Sequence, residues 1–190
     1  MRTASKLMCF GAGCTLACAP ALALAAQAPG AGYWAGPYIG GELGLNDASG
    51  DHVSSSTAFT VSPHIGYNAA VPLRGAFSPL ILGADFFGEF NTETDHGPAH
   101  FGSNVFGVDF LAGMPIGTQR RLMPYVKLGF GDLVGTGDLD GSDTSLRVGV
   151  GAEYHLQRNW GLRLQWIHQD ADHITNNNFT AGVDYHFGGY

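Results

Sequence analysis

Cysteine is missing from most of this chain. All three, Cys9, Cys14 and Cys18, lie near the N-terminus, so the remainder has neither a disulfide framework nor a thiol for catalysis. Charge is scarce as well: Asp, Glu, Lys and Arg make up 13% of the residues, and bases are the scarcer sign, nine against sixteen acids. That balance excludes the basic footprint of a nucleic-acid-binding protein, and no nucleic-acid partner is expected. Beyond residue 25 no apolar run approaches the roughly 18 residues of a membrane helix, so a membrane location would require strands.

Glycine is abundant, with 29 residues, and together with the low charge it points away from a helical protein. The length of 190 residues suits one β-rich domain. Its first segment is set apart: Arg2 and Lys6 precede an apolar stretch from Leu7 to about Ala25 that ends in small residues, the pattern of a secretory signal peptide. Two Ala-x-Ala sites compete, Ala23–Leu24–Ala25 and Ala26–Gln27–Ala28. Pro29 directly after Ala28 argues for the first, although cleavage after residue 28 is the alternative. Residues 1–25 are therefore expected to be a cleaved leader, 26–36 a short N-terminal segment and 37–190 the folded domain.

Eight segments of about ten residues alternate between apolar and polar or minimal side chains, separated by stretches rich in Gly, Asn, Asp, Ser and Pro. In "LRVGVGAEYHL", Leu146, Val148, Val150, Ala152, Tyr154 and Leu156 form one face, with Arg147, Gly149, Gly151, Glu153 and His155 on the other. The last segment opposes Phe179, Ala181, Val183, Tyr185 and Phe187 to Asn178, Thr180, Gly182, Asp184 and His186. Ile81, Phe87, Val105, Leu111 and Ile167 break the rule by sharing the polar side, and Pro63 costs its strand one ladder donor.

An even number of strands near the length that crosses a bilayer fits a closed, antiparallel, up-and-down transmembrane barrel with its apolar face outward. Closure is required because an open edge in hydrocarbon leaves backbone donors and acceptors unpaired. A soluble barrel alternates too, but the polar faces here carry only nine charged side chains over eight strands and are rich in glycine. Connections of one parity hold Arg74, Arg120, Arg121 and Arg158 and no acid. Those of the other hold Asp47, Asp51, Glu93, Asp95, Asp132, Asp138, Asp140, Asp143, Asp170 and Asp172 and no base.

The segments "GPYIGGELGLN" (36–46), "PYVKLGFG" (124–131), "VGVGAEYHL" (148–156) and "FTAGVDYHF" (179–187) resemble small outer-membrane β-barrel proteins of Gram-negative bacteria, of the OmpA-like or opacity-protein type. The resemblance implies location in the outer membrane and a structural or surface-contact role without enzymatic activity. It implies lipid and lipopolysaccharide contacts, an unknown extracellular partner, and insertion by the barrel assembly machinery. Thr180, Gly182, Tyr185 and Phe187 resemble the assembly signal, although Gly188–Gly189–Tyr190 follows it. The peptidoglycan-binding domain that follows the barrel in full-length OmpA has no counterpart in this sequence.

The polar faces would place Glu42, His64, Asp85, Glu89, Asp109, Lys127, Arg147, Glu153, His155, Arg163, Asp184 and His186 inside a lumen about wide enough to be filled by side chains. A mutual salt-bridge network that plugs the barrel is expected, since unpaired charges there are costly; a narrow ion path is the alternative. His168, Asp170, Asp172 and His173, with His96 and His100 from another segment, form a weak metal pattern, and no cofactor is expected. Some eight-stranded barrels deacylate lipid A with a Ser/His/Glu set. Here Gln169 and Asp170 follow His168, so the serine of that pattern is missing, and no catalytic residue is assigned.

Overall fold

The computed structural model describes residues 32–50, 53–73, 79–96, 99–137, 142–171 and 174–188. The leader and both candidate cleavage sites lie outside them. Nine strands follow in chain order: β1 (Gly36–Gly50), β2 (Val53–Val71), β3 (Leu80–Asn91), β4 (Thr94–His96), β5 (Ala99–Gly113), β6 (Leu122–Gly137), β7 (Ser142–His155), β8 (Trp160–Ala171) and β9 (Ile174–His186). All neighbours are antiparallel. The sheet closes on itself because β1 pairs with both β2 and β9, and β3 pairs directly with β5.

The barrel wall is thus eight-stranded. The strand outside that wall, β4, is a three-residue hairpin arm that continues the line of β3 and pairs only with the start of β5. The kink before it is held by the Thr92 backbone N–H donating to Phe59 O at 2.9 Å and by the Phe59 N–H donating to Thr92 Oγ1 at 3.0 Å.

The strands run from 12 to 19 residues apart from β4, well beyond the ten that the alternation suggested. Positions read from the sequence as part of the acid-bearing connections, such as Asp47 and Asp143, therefore lie in strand ends. The reason is physical. Above the bilayer both faces of a ladder can be wet, so the alternation that marks a strand fades while its hydrogen bonds continue. Pro63 leaves a gap in the β2–β3 ladder between Val61↔Phe90 and His64↔Phe87.

Burial is inverted relative to a water-soluble barrel. Leu164 is 65% exposed and Phe86 63%, whereas Arg147 and Arg163 are each 2% exposed. The parity exceptions all point inward and are buried. Ile81 and Leu111 pack with Trp34, Ala70, Met123 and Tyr125 at the end of the barrel where β1 begins and β9 ends, the termini end. Phe87 and Val105 pack with Leu133 toward the other end. Two apolar clusters thus sit within an otherwise polar lumen, and their inward apolar side chains are what break the alternation at Ile81, Phe87, Val105 and Leu111.

The short N-terminal segment has a structural role that alternation could not show. A turn at residues 32–35 places Trp34, fully buried, in the mouth of the barrel, where its indole Nε1 donates to Arg120 O at 2.8 Å.

Candidate functional site

The lumen holds a column of ionised and hydrogen-bonding side chains. At its centre, Lys127 Nζ donates to Asp85 Oδ2 at 2.6 Å, and Tyr38 Oη donates to the other oxygen of the same carboxylate. Arg163 reaches four acids: Nη2 lies 2.7 Å from Asp184 Oδ2 and 3.4 Å from Glu153 Oε2, and Nη1 lies 3.4 Å from Asp85 Oδ2 and 3.9 Å from Glu42 Oε1. His64 Nε2 contacts Asp184 Oδ1 at 2.7 Å. Glu42 accepts from Gln165 Nε2 at 2.8 Å and from the Thr180 hydroxyl.

Toward the opposite end from the β1 start, Arg147 takes over. Its Nη2 lies 3.3 Å from Glu89 Oε2 and its Nε 3.4 Å from Asp109 Oδ1. Nη1 donates to Gln169 Oε1 at 2.8 Å. Asn178 Nδ2 donates to Glu89 Oε1. The guanidinium also stands over the Phe87 ring at 4.0 Å, and Arg163 lies 5.3 Å from the Tyr38 ring centroid.

Glycine makes room for these long side chains. A Cβ at Gly66 would stand 2.5 Å from Asp85 Oδ1 and from the Tyr38 ring, and one at Gly151 would stand 2.5 Å from the Tyr125 ring. At Gly161 it would collide with the Glu153 carboxylate, and at Gly40 with that of Asp184.

At the termini end of the column, Glu153, His155 and His186 converge, with one potential metal-ligating atom from each within 4.8 Å of the others. Trp34 covers them, its ring centroid 4.1 Å from that of His155.

All twelve residues that the sequence assigns to the lumen are buried, and each contacts at least one other member within ion-pair distance. Tyr38, Tyr125, Gln165, Gln169 and Asn178 join the same column. The inward parity of Tyr38, Tyr125, Gln165 and Asn178 was visible in the alternation, whereas Gln169 fell in a stretch read as a connection; uncharged side chains gave no sign of pairing. The two families of residues in the assembly pattern separate by face. Thr180 is buried against Glu42, and a Cβ at Gly182 would also meet Glu42. Tyr185 and Phe187 lie on the outer surface with ring centroids 5.0 Å apart, next to Trp160.

The weak metal pattern is not assembled among its described members. His168 Nδ1 pairs with Asn177 Oδ1 at 3.0 Å, and Asp170 Oδ1 accepts from the Thr175 hydroxyl at 2.9 Å. Asp172 and His173 lie outside the described residues, as do the side chains of His96 and His100.

A family model described as "outer membrane protein beta-barrel domain" matches residues 14–187. The chain belongs to this outer-membrane β-barrel family. The barrel therefore resides in the outer membrane, with its apolar exterior against lipid. A comparison with curated protein sequences finds no match. Among solved structures, neisserial surface protein A is similar at 20% identity, covering 80% of this chain and 97% of that one, with a TM-score of 0.56. The attachment invasion locus protein Ail of Yersinia pestis is similar at 14% identity, covering 80% and 99%, with a TM-score of 0.54. The outer-membrane enzyme PagL is similar at 14% identity, covering 79% and 99%, with a TM-score of 0.53. At these identities the likeness is one of fold, which the surface proteins and the enzyme share.

Proposed function

We propose that this barrel is a non-enzymatic envelope protein that stabilises the outer membrane and makes surface contacts, with a lumen sealed to ions. The observation that supports this reading is the closed column: three Lys/Arg cations held among six buried carboxylates, with two buried apolar clusters packed into the same lumen. An eight-stranded wall encloses little more than its own side chains, so conduction would require these pairs to separate.

The surface partner is expected to be cationic or cation-bridged. Asp47, Glu93, Asp132, Asp143 and Asp170 lie at the outer end, and among the described residues no Lys or Arg accompanies them on the outside there. Ail has also been solved in complex with the heparin analogue sucrose octasulfate; an acidic outer end of this kind repels such a polyanion. Divalent ions bridging these carboxylates to lipopolysaccharide phosphates fit it better.

A lipid A deacylase is the second reading, favoured by the shared fold with PagL and by His168 on the outward side of β8. Against it, Asp170 rather than serine follows two residues later on the same face, so the base has no adjacent hydroxyl nucleophile. Mass spectrometry of lipid A from cells with and without the protein tests both readings together with planar-bilayer conductance. An unchanged acyl pattern and electrical silence support the sealed envelope protein. A lost acyl chain establishes the enzyme, and steady unitary currents establish the channel.

A further inference from the structure

The ion-pair column does not account for the cluster at its termini end. Glu153 and His155 stand two residues apart on the inward face of β7, and His186 ends β9. Gly161, on the strand between them, leaves the space that the Glu153 carboxylate occupies. All three side chains are at most 1% exposed. His186 Nε2 lies 2.7 Å from Glu153 Oε1, which uses one imidazole nitrogen. His186 Nδ1 and both ring nitrogens of His155 have no hydrogen-bond partner; His155 Nε2 comes within 3.3 Å of Glu153 Oε1 but out of line for a hydrogen bond. Around them stand aromatic rings: Trp34 at 4.1 Å from His155 and Tyr38 at 5.2 Å from His186, measured between centroids. Each buried polar atom left unpaired costs about 1–3 kcal/mol. A neutral imidazole carries one N–H and one lone pair, so His186 Nδ1, whose ring proton on Nε2 faces Glu153, and one nitrogen of His155 each hold a buried lone pair with nothing to accept it.

We propose that Glu153, His155 and His186 bind a borderline divalent transition-metal ion, and that Zn2+ is the ion the donor set fits best. Two imidazoles and one carboxylate make the three-protein-ligand set of open tetrahedral zinc sites, with the fourth position left to water. Imidazole donors disfavour calcium and magnesium, which take oxygen ligands. The charge count points the same way. The described lumen buries six carboxylates, Glu42, Asp85, Glu89, Asp109, Glu153 and Asp184, against Lys127, Arg147 and Arg163. A dication reduces that excess of three negative charges to one. Arg163 sits on Glu153 Oε2, the oxygen opposite the one facing the histidines, and fixes the carboxylate's orientation, as outer-shell partners of metal ligands do. Trp34 packs over both histidines and shields the site from that end of the barrel.

The site is independent of the envelope role, since a sealed barrel needs no metal. The test uses the protein purified from outer membranes in detergent, stripped with chelator and titrated with Zn2+ by calorimetry and with Co2+ by visible absorption. One ion per chain is expected, with an intense tetrahedral Co2+ band. Replacing both His155 and His186 by Ala should weaken binding by about 100-fold or more, since loss of even an outer-shell partner costs about 10–100-fold. Replacing His96, His100, His168 and His173 by Asn should leave binding in place. If the double variant fails to assemble, the unmodified barrel decides through its Co2+ spectrum. An absence of uptake, a weak octahedral band, or binding that disappears with the four Asn substitutions would overturn the proposal.

Discussion

Arg163 Nη2 lies 2.7 Å from Asp184 Oδ2, joining β8 to β9 on the inner face of the barrel one step away from the Arg163↔Gly182 register pair. The same guanidinium serves Glu153 and Asp85, so it is the hub of the column. Arg163→Met leaves these carboxylates without their common cation and is expected to cost about 3–5 kcal/mol. Urea unfolding followed by tryptophan fluorescence measures it. Arg158→Met, at an exposed turn, should move the midpoint little.

Two glycines on opposite faces of the wall, Gly151 toward the lumen and Gly41 toward the outside, should respond oppositely to alanine. A Cβ at Gly151 meets the Tyr125 ring at 2.5 Å, whereas one at Gly41 meets nothing within 4 Å. Gly151→Ala overpacks the lumen and should destabilise by about 1–3 kcal/mol. Gly41→Ala should be neutral or stabilise by up to about 1 kcal/mol, because it only restricts the unfolded chain. Comparing the two unfolding midpoints in the same detergent distinguishes a filled interior from an empty one.

The outer face gives a third prediction. Leu164 is 65% exposed within the apolar band, so Leu164→Arg should cost about 2–4 kcal/mol near the bilayer midplane. Reversible folding into lipid vesicles provides the measurement. A neutral result would mean that this face meets water.

Most of the barrel was legible because a two-residue period survives wherever one face is greasy and the other is not, as in Leu146 to Leu156. The twelve lumen residues could be named for that reason, since each carries a charge or an imidazole at an inward position. What the period could not convey were features that do not obey it. Ile81, Phe87, Val105, Leu111 and Ile167 looked like errors in the pattern, yet they are buried inside, four of them in the two apolar clusters. Trp34 precedes the first strand and has no partner in sequence, so its place in the mouth depends on a contact with Arg120 eighty-six residues away. The metal-ligating geometry of Glu153, His155 and His186 likewise depends on strand register, which alternation leaves open.

Assembly offers a fourth prediction. The Phe187 backbone N–H donates to Pro37 O at 2.9 Å, so hydrogen bonding to β1 continues through the second outward aromatic. If the assembly signal ends there, Phe187→Ala should slow insertion several-fold, whereas Tyr190→Ala should not. Pulse-chase appearance of the heat-modifiable form would show which aromatic is read, and a defect confined to Tyr190→Ala would shift the signal to the chain end.

The central claim is the direction in which the two faces point. After Cys18 the chain has no cysteine, so single cysteines placed at Val150, Leu164 and Asp170 can carry nitroxide labels without competition in the folded domain. Collision of each label with oxygen and with a water-soluble nickel chelate, measured by electron paramagnetic resonance in lipid vesicles, tests the claim directly. Labels at Val150 and Leu164 should be reached by oxygen and shielded from nickel, and the label at Asp170 should be reached by nickel. Free access of nickel to Val150 and Leu164 would contradict the account.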